Sequence, residues 1–120
     1  MSLSHNQVQL AGRVGYAPEL HRLTDGTPAV RFHLYQRQRQ ADEETSVGFT
    51  LSATGAMAEH LARVLRRNDH LFVQGKLRLR AARHQEARFY RPVIELSSFH
   101  LLQRPAARPY PAGQVLHLGA

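Results

Sequence analysis

The sequence contains no cysteine and no tryptophan, and Lys76 is its single lysine. Without cysteine, the chain can form neither a disulfide nor a thiolate metal site, and it has no cysteine nucleophile. It also lacks any run of about 18 apolar residues, the length that crosses a membrane as a helix. The first residues, 1–6, are polar and lack the apolar segment of a secretory signal. We therefore expect a cytoplasmic protein with no membrane partner.

Positive charge is the most unusual feature of the composition. Of the 120 residues, 16 are basic and 9 are acidic, which gives a formal net charge of +7 at pH 7. Fifteen of the basic residues are arginine, whose planar guanidinium can both fork onto phosphate and stack on a base. A GC-rich genome also favours arginine over lysine, so the net charge is the stronger observation. The net charge predicts an anionic partner, either nucleic acid or an acidic membrane surface, and the arginine content favours nucleic acid over a role in solubility alone.

Alternation of apolar and polar residues predicts a chain built mainly from β-strands. Its length and its apolar fraction of 42% are those of one globular domain. Strands are predicted at residues 6–14, 30–39, 47–53, 71–80 and 89–102. Between them, Asp25-Gly26 predicts a tight turn, residues 36–46 a long exposed connection, and residues 81–88 a hairpin tip.

Residues 55–67 change to a helical period, because Met57, Leu61, Val64 and Leu65 fall on one side of a helix. Asn68 is an acceptable left-handed terminator for it. Gly12, Gly15 and Gly75 interrupt strand patterns and predict bends there. This order predicts an all-β protein, an OB-fold five-stranded barrel with one α-helix between strands 3 and 4. The barrel domain covers residues 1–102, and residues 103–120 are predicted to form a flexible tail.

The strands at 30–39 and 71–80 carry basic and aromatic side chains opposite their apolar faces, with Leu77 and Leu79 expected to face inward. Binding a strand without sequence preference needs positive charge along the phosphates and flat groups that stack on bases. The predicted DNA-binding residues are Arg13, Arg31, Tyr35, Arg37, Arg39, Lys76, Arg78, Arg80, Arg83, His84, Arg88 and Tyr90. Tyr35 and Tyr90 are the preferred stacking residues, whereas Phe32, Phe49 and Phe89 are predicted in the core. Alternation alone would also fit a face that contacts only water. The prediction therefore depends on the positive charge and the aromatic residues of this face.

No catalytic or metal site is predicted. Gly75-Lys76 lacks the earlier glycine and the following serine or threonine of a phosphate-binding loop. The eight histidines are scattered, with no pair at metal-ligand spacing beside a carboxylate. No Gly-x-Ser-x-Gly elbow is present. We expect a binding protein that is not an enzyme and that uses no cofactor.

Several segments resemble bacterial single-stranded DNA-binding proteins (SSB). They are NQVQLAGRVG at 6–15, DGTPAVRF at 25–32, GAMAE at 55–59 and VQGKLRLR at 73–80. GTP at 26–28 and VQG at 73–75 also resemble the primosomal replication protein N group (PriB). Both resemblances imply an OB-fold that binds single-stranded DNA in replication, recombination or repair, at the nucleoid of a bacterial cytoplasm. The first implies a homotetramer and the second a homodimer.

The resemblance also implies a subunit interface on the first strand, at Gln7, Val8, Gln9 and Leu10. In three places the chain departs from SSB proteins, since Gly48, Thr54 and Ala82 stand where that family commonly has aromatic residues. Residues 114–120 also lack the acidic tip through which the family contacts partner enzymes. Binding should therefore be weaker and more electrostatic. RNA remains possible as a ligand, and an interaction module for replication or primosome proteins is the alternative to DNA binding.

Overall fold

The computed structural model describes residues 3–106, which form six β-strands and one α-helix. The strands before the helix are β1 (Val8–Val14), β2 (His21–Arg22), β3 (Pro28–Gln40) and β4 (Glu43–Thr54). The helix α1 (Gly55–Val64) is followed by β5 (His70–His84) and β6 (Ala87–Gln103). The structure is therefore mainly β-sheet with one helix, as the alternation predicted. The predicted tail, residues 103–120, lies mostly outside the described residues.

Strand pairing closes the sheet into a ring. β1 pairs with β5, β5 with β6, β6 with β4, β4 with β3, and β3 again with β1. The β4–β6 pair is parallel and the others are antiparallel. The predicted position of the helix was wrong, because α1 lies between β4 and β5 and not between strands 3 and 4. The reason is an additional short strand, β2, which pairs with the start of β3 across the Asp25-Gly26 turn.

Two long hairpins extend beyond the core. Residues 36–46 were predicted as an exposed connection, but they are paired from Gln36 opposite Val47 to Gln40 opposite Glu43. The second hairpin turns at Gln85 and Glu86, within the predicted tip. Alternation of apolar and polar residues does not identify the outer ends of these two hairpins, because neither face of a hairpin end packs on a core. We call residues 36–47 the first arm and residues 76–92 the second arm.

The core fills the inside of the ring. Val14, Leu34, Leu51 and Leu71 are fully buried, and Leu61 of α1 packs against them. At Gly75, a Cβ atom would lie 2.3 Å from the Glu95 carbonyl oxygen, so no larger residue fits. The β5–β6 register also shifts between Gln74 and Gly75, which confirms the irregularity that the glycine predicted.

The helix ends at Val64, earlier than the predicted residue 67, because Leu65 already has extended backbone angles. The chain then turns through Asn68, whose φ of 71° is left-handed. The Asn68 amide donates to the Val14 carbonyl at 2.9 Å, and the Val14 amide donates to the Asp69 carbonyl at 2.8 Å. The segment after the helix is thereby attached to β1.

A buried carboxylate, Asp69, joins this segment to the end of β6. Its side chain is fully buried and accepts two hydrogen bonds of 2.9 Å from the Arg104 guanidinium and one of 2.8 Å from the Arg66 amide. Arg104 also donates to the Val64 carbonyl at 2.6 Å. The hydrogen bonds from Arg104 hold the pKa of Asp69 below its usual range, although burial alone would raise it. The pair therefore stabilises the contact between α1, β1 and the end of β6.

We expect Asp69→Asn to lower the free energy of unfolding by about 2 to 3 kcal/mol at pH 7, because it leaves a partly buried guanidinium without its charged partner. The folded pKa of Asp69 is depressed, so the stabilisation is complete above the unfolded pKa of about 3.9 and is lost as the pH falls through the folded pKa. Urea unfolding from neutral to acid pH measures both effects. The curves of wild type and variant should converge in acid, with Asp42→Asn at the exposed turn of the first arm as control. A difference that stays constant down to the lowest pH would contradict this account.

Candidate nucleic-acid interface

The outer face of β3 carries a line of basic and aromatic side chains. It lies outside the ring because Phe32 and Leu34 occupy the alternating inner positions. The line consists of Arg31, His33, Tyr35, Arg37 and Arg39. Opposite these residues, β4 presents Ser52, Thr50, Gly48, Ser46 and Glu44. The outer surface of β4 therefore carries mainly small side chains with hydroxyl groups, and it lies beside the basic outer face of β3.

Tyr35 sits in a gap that two glycines leave open. A Cβ on Gly15 would lie 2.5 Å from one edge of its ring, and a Cβ on Gly48 would lie 2.8 Å from the other edge. The Arg13 guanidinium carbon lies 5.6 Å from the ring centroid, within the range of a cation–π contact. Gly48, one of the positions where an aromatic residue was expected from the resemblance, thus has the ring of its cross-strand partner beside it.

Cross-strand pairing connects the outer face of β3 to that of β5. Arg31 lies opposite Ser52, Ser52 opposite Glu95, and Glu95 opposite Lys76. Directly opposite residues share a face, so these four residues form one row across β3, β4, β6 and β5. Three strand spacings, about 15 Å, separate the two ends of the row. The two basic strands singled out from the sequence therefore lie on one continuous surface.

The second arm has two chemically different faces. One continues the row, and we call it the basic face; it carries Lys76, Arg78, Arg80 and His84, with Arg91 and Phe89 on the paired strand. The other, which we call the apolar face, carries Leu77, Leu79, Ala81 and Arg83, with Pro92, Tyr90 and Arg88 on the paired strand. The predicted site residues of this arm are thus divided, because Arg83, Arg88 and Tyr90 lie on the face opposite to that of Lys76, Arg78, Arg80 and His84.

Two carboxylates accompany the arginines of this surface. Glu44 lies directly opposite Arg39, and its carboxylate is 3.7 Å from the Arg37 guanidinium. Glu95 is 3.4 Å from the Arg78 guanidinium, with both side chains 48% exposed. Such exposed pairs contribute little to stability. They do place negative charge beside both basic strands, because Glu44 lies on β4 next to β3 and Glu95 on β6 next to β5.

The first strand has a free edge next to this surface. Among residues 3–106, Val8 to Gly12 pair with β5, and only Arg13 and Val14 pair with β3. Val8 and Leu10 pack against the core, whereas Gln7 and Gln9 are exposed. On the free edge, the Ala11 carbonyl accepts a hydrogen bond of 3.0 Å from the Gln36 side chain. The four predicted interface residues are therefore divided, because the side chains of Val8 and Leu10 pack on the core and those of Gln7 and Gln9 are exposed.

Three apolar residues of the second arm were placed wrongly from the sequence. Leu77, Leu79 and Phe89 were expected in the core, but they are 43%, 64% and 37% exposed. Alternation identifies which residues share a face, but it does not tell how far along a strand the core extends. The density of arginine after residue 76 was the signal that this part of the hairpin is solvated. Phe32 is buried, and Phe49 packs against the core, as predicted.

The predicted contacts did not include four residues of this surface, Arg91, His33, Glu44 and Glu95. Alternation with Phe32 and Leu34 does place His33 on the outer face of β3, but it was not chosen as a contact. The positions of the two glutamates relative to the arginines depend on strand register, which the sequence does not reveal.

Comparison with known families identifies one matching family. The model of the single-strand binding protein family matches residues 5–102, which include the helix and nearly all of the strands. No match was found among curated proteins. Within residues 3–106, no three histidine or acidic side chains come together in a way that could hold a metal ion. Over the same residues, no helix is both long enough and apolar enough to cross a membrane.

Proposed function

This chain belongs to the single-strand binding protein family, and we propose that it binds single-stranded DNA, without sequence preference, on the outer surface formed by β3, β4, β6 and β5. Members of this family are binding proteins and not enzymes. The observation that carries the proposal is the row from Arg31 to Lys76, which joins the two basic strands across the sheet. A positive surface of this kind follows phosphates whatever the base sequence.

The proposed contacts are the basic and aromatic residues of this surface. On the β3 side of the surface, the proposed contacts are Arg13, Arg31, Tyr35, Arg37 and Arg39. On the β5 side, they are Lys76, Arg78, Arg80 and His84. Arg83, Arg88 and Tyr90 lie on the apolar face of the second arm, so they stay outside this proposed path. With no tryptophan in the chain, charge supplies most of the affinity, and Tyr35 is the proposed stacking residue nearest the centre.

The family also supports a proposal for the architecture. We interpret the closed ring of β1, β5, β6, β4 and β3 as the barrel of an OB-fold. We further propose a role in DNA replication, recombination or repair in a bacterial cytoplasm, with a PriB-like primosomal role as the alternative. A module that binds a replication protein is a second candidate, favoured by exposed Leu79 and Tyr90 on the apolar face.

Salt dependence tests the electrostatic part of the proposal. Affinity for a labelled oligo-dT should fall steeply between about 50 and 200 mM salt, because bound phosphates release counterions. Arg78→Ala with Arg80→Ala should weaken binding to all sequences equally and reduce the slope of log affinity against log salt by about 1.4. Fluorescence anisotropy measures both quantities. The control is Arg63→Ala with Arg66→Ala, which removes the same charge at the end of α1 and after it. Absence of wild-type binding at low salt would instead favour the interaction module.

The paired carboxylates give a second test of the same surface. Glu44→Gln and Glu95→Gln should each tighten oligo-dT binding about threefold at low salt, because each variant releases an arginine from its partner and removes a charge that repels phosphate. Glu59→Gln makes the same change of net charge on exposed α1 and should have little effect. Equal tightening by all three variants would mean that only the net charge matters and that the surface has been misplaced.

We also propose that the chain forms a homodimer or homotetramer through the free edge of β1. Both backbone groups of Val14 bond toward the β5 side, so those of Leu10 and Val8 point the same way. The backbone amide and carbonyl groups of Gln9 and Ala11 therefore point to the free edge. The hydrogen bond from the Gln36 side chain to the Ala11 carbonyl is consistent with this direction. An uncharged edge of this kind is open to pairing with a second copy.

A proline scan of β1 tests this assembly. Gln9→Pro removes an amide that faces the free edge and leaves the β5 ladder intact, so it should yield a folded monomer. Leu10→Pro removes an amide that faces β5, so it should lower the melting temperature. Light scattering gives the mass relative to the 13.6 kDa chain, and circular dichroism reports folding. A wild-type monomer, or an unchanged oligomer mass in Gln9→Pro, would refute pairing through this edge.

A further inference from the structure

Asn6 precedes β1 and continues the pairing of that strand with β5. Val8 lies opposite Gly75, so in the same register Asn6 lies opposite Leu77. The Asn6 side-chain nitrogen donates to the Leu77 carbonyl at 2.8 Å, and its side-chain oxygen accepts from the Leu77 amide, also at 2.8 Å. A carboxamide offers the same kinds of donor and acceptor as a peptide unit. The side chain of Asn6 therefore completes the ladder at the point where the backbone pairing of β1 has ended.

Leu77 lies at the root of the second arm. Among residues 3–106, the part of β5 beyond Gly75 pairs with β6 alone. A two-stranded hairpin is marginally stable without further support. The register of this hairpin also shifts between Gln74 and Gly75, just before the arm begins. Asn6 therefore extends the support that β1 gives to β5 past this irregularity and into the arm.

Leu77 also stands between two proposed DNA contacts. Lys76 and Arg78 are its neighbours in the chain, and both lie on the basic face of the arm. A backbone that is fixed at Leu77 fixes the direction in which these two side chains leave the strand. Groups that are held in place before binding give a higher affinity, because the ligand does not have to order them.

We propose that Asn6 is a positioning residue, which holds the root of the second arm so that Lys76 and Arg78 face the phosphates of bound DNA. This inference rests on the proposed function and adds to it a residue that itself contacts no DNA. Asn6 is uncharged and lies 71 positions from Leu77 in the chain, so neither charge nor alternation points to it.

Amide hydrogen exchange tests the two hydrogen bonds directly. Asn6→Ala removes both bonds, so the Leu77 amide should exchange about tenfold faster. The Val73 amide, opposite Leu10 in the middle of β1, should keep its rate and show that the core is intact. His5→Ala changes the neighbouring exposed side chain and should alter neither rate. An unchanged Leu77 rate in Asn6→Ala would overturn the inference, whether or not the protein binds DNA.

Binding of labelled oligo-dT at pH 8, where histidine is neutral, tests the positioning of the two cations. Asn6→Ala should weaken binding about threefold and leave the slope of log affinity against log salt unchanged, because every basic residue is still present. Arg78→Ala, in contrast, should reduce that slope by about 0.7. In a variant that already carries Lys76→Ala and Arg78→Ala, Asn6→Ala should have little further effect.

Two binding results would overturn the positioning role. One is full affinity for oligo-dT in Asn6→Ala. The other is an equal threefold loss when Lys76 and Arg78 are already absent, since Asn6 would then act only on the fold. Wild type that fails to bind oligo-dT at low salt is a separate result, which would refute the proposed function, while the exchange rate of Leu77 would still decide whether Asn6 holds the arm.

Discussion

Closure of the sheet through β1 is the constraint on which the rest of the structure depends. β1 pairs with β5 along most of its length and reaches β3 only at Arg13 and Val14, so the strand must bend sharply there. The bend leaves no room for a side chain, because a Cβ on Gly12 would lie 2.6 Å from the Tyr35 carbonyl oxygen. Closure places the core residues of the five long strands, such as Val14, Leu34 and Leu51, inside the ring. The basic positions of β3 and β5 are thereby brought onto one outer surface.

The elements that could be predicted from the sequence are those whose pattern reflects a core. The strands around Leu34, Leu51 and Val73 have one buried face, so a period of two identifies them, and Asp25-Gly26 marks the turn before β3. The first arm shows no such pattern, because its residues are polar on both faces. β2 has only two residues, too few to show a period. Pairs such as Glu95 with Arg78 require the strand register, which depends on contacts between distant segments.

Net charge overstates the positive charge that is available to a ligand. Arg104 is committed to buried Asp69, where it stabilises the fold. Arg37 and Arg78 each have a glutamate within 4 Å, so a phosphate must compete with a carboxylate at those two positions. Compared with a surface that has the same arginines and no carboxylates, this arrangement has a lower affinity for a phosphate chain. It is a physical reason to expect weak, readily reversible binding, in addition to the absence of tryptophan.

The two faces of the second arm differ in what they place side by side. Beyond the core, both faces of a hairpin are exposed, so burial does not distinguish their roles. The chemistry of neighbouring side chains then determines which ligand each face can bind. A strand of DNA presents phosphates and bases within a few ångströms of one another, and a surface that binds both needs charge and a flat ring close together. The basic face has that combination in Arg80, Arg91 and Phe89. On the apolar face, Tyr90 has Leu79 and Pro92 as neighbours, and such a surface suits contact with another protein better than contact with a phosphate chain.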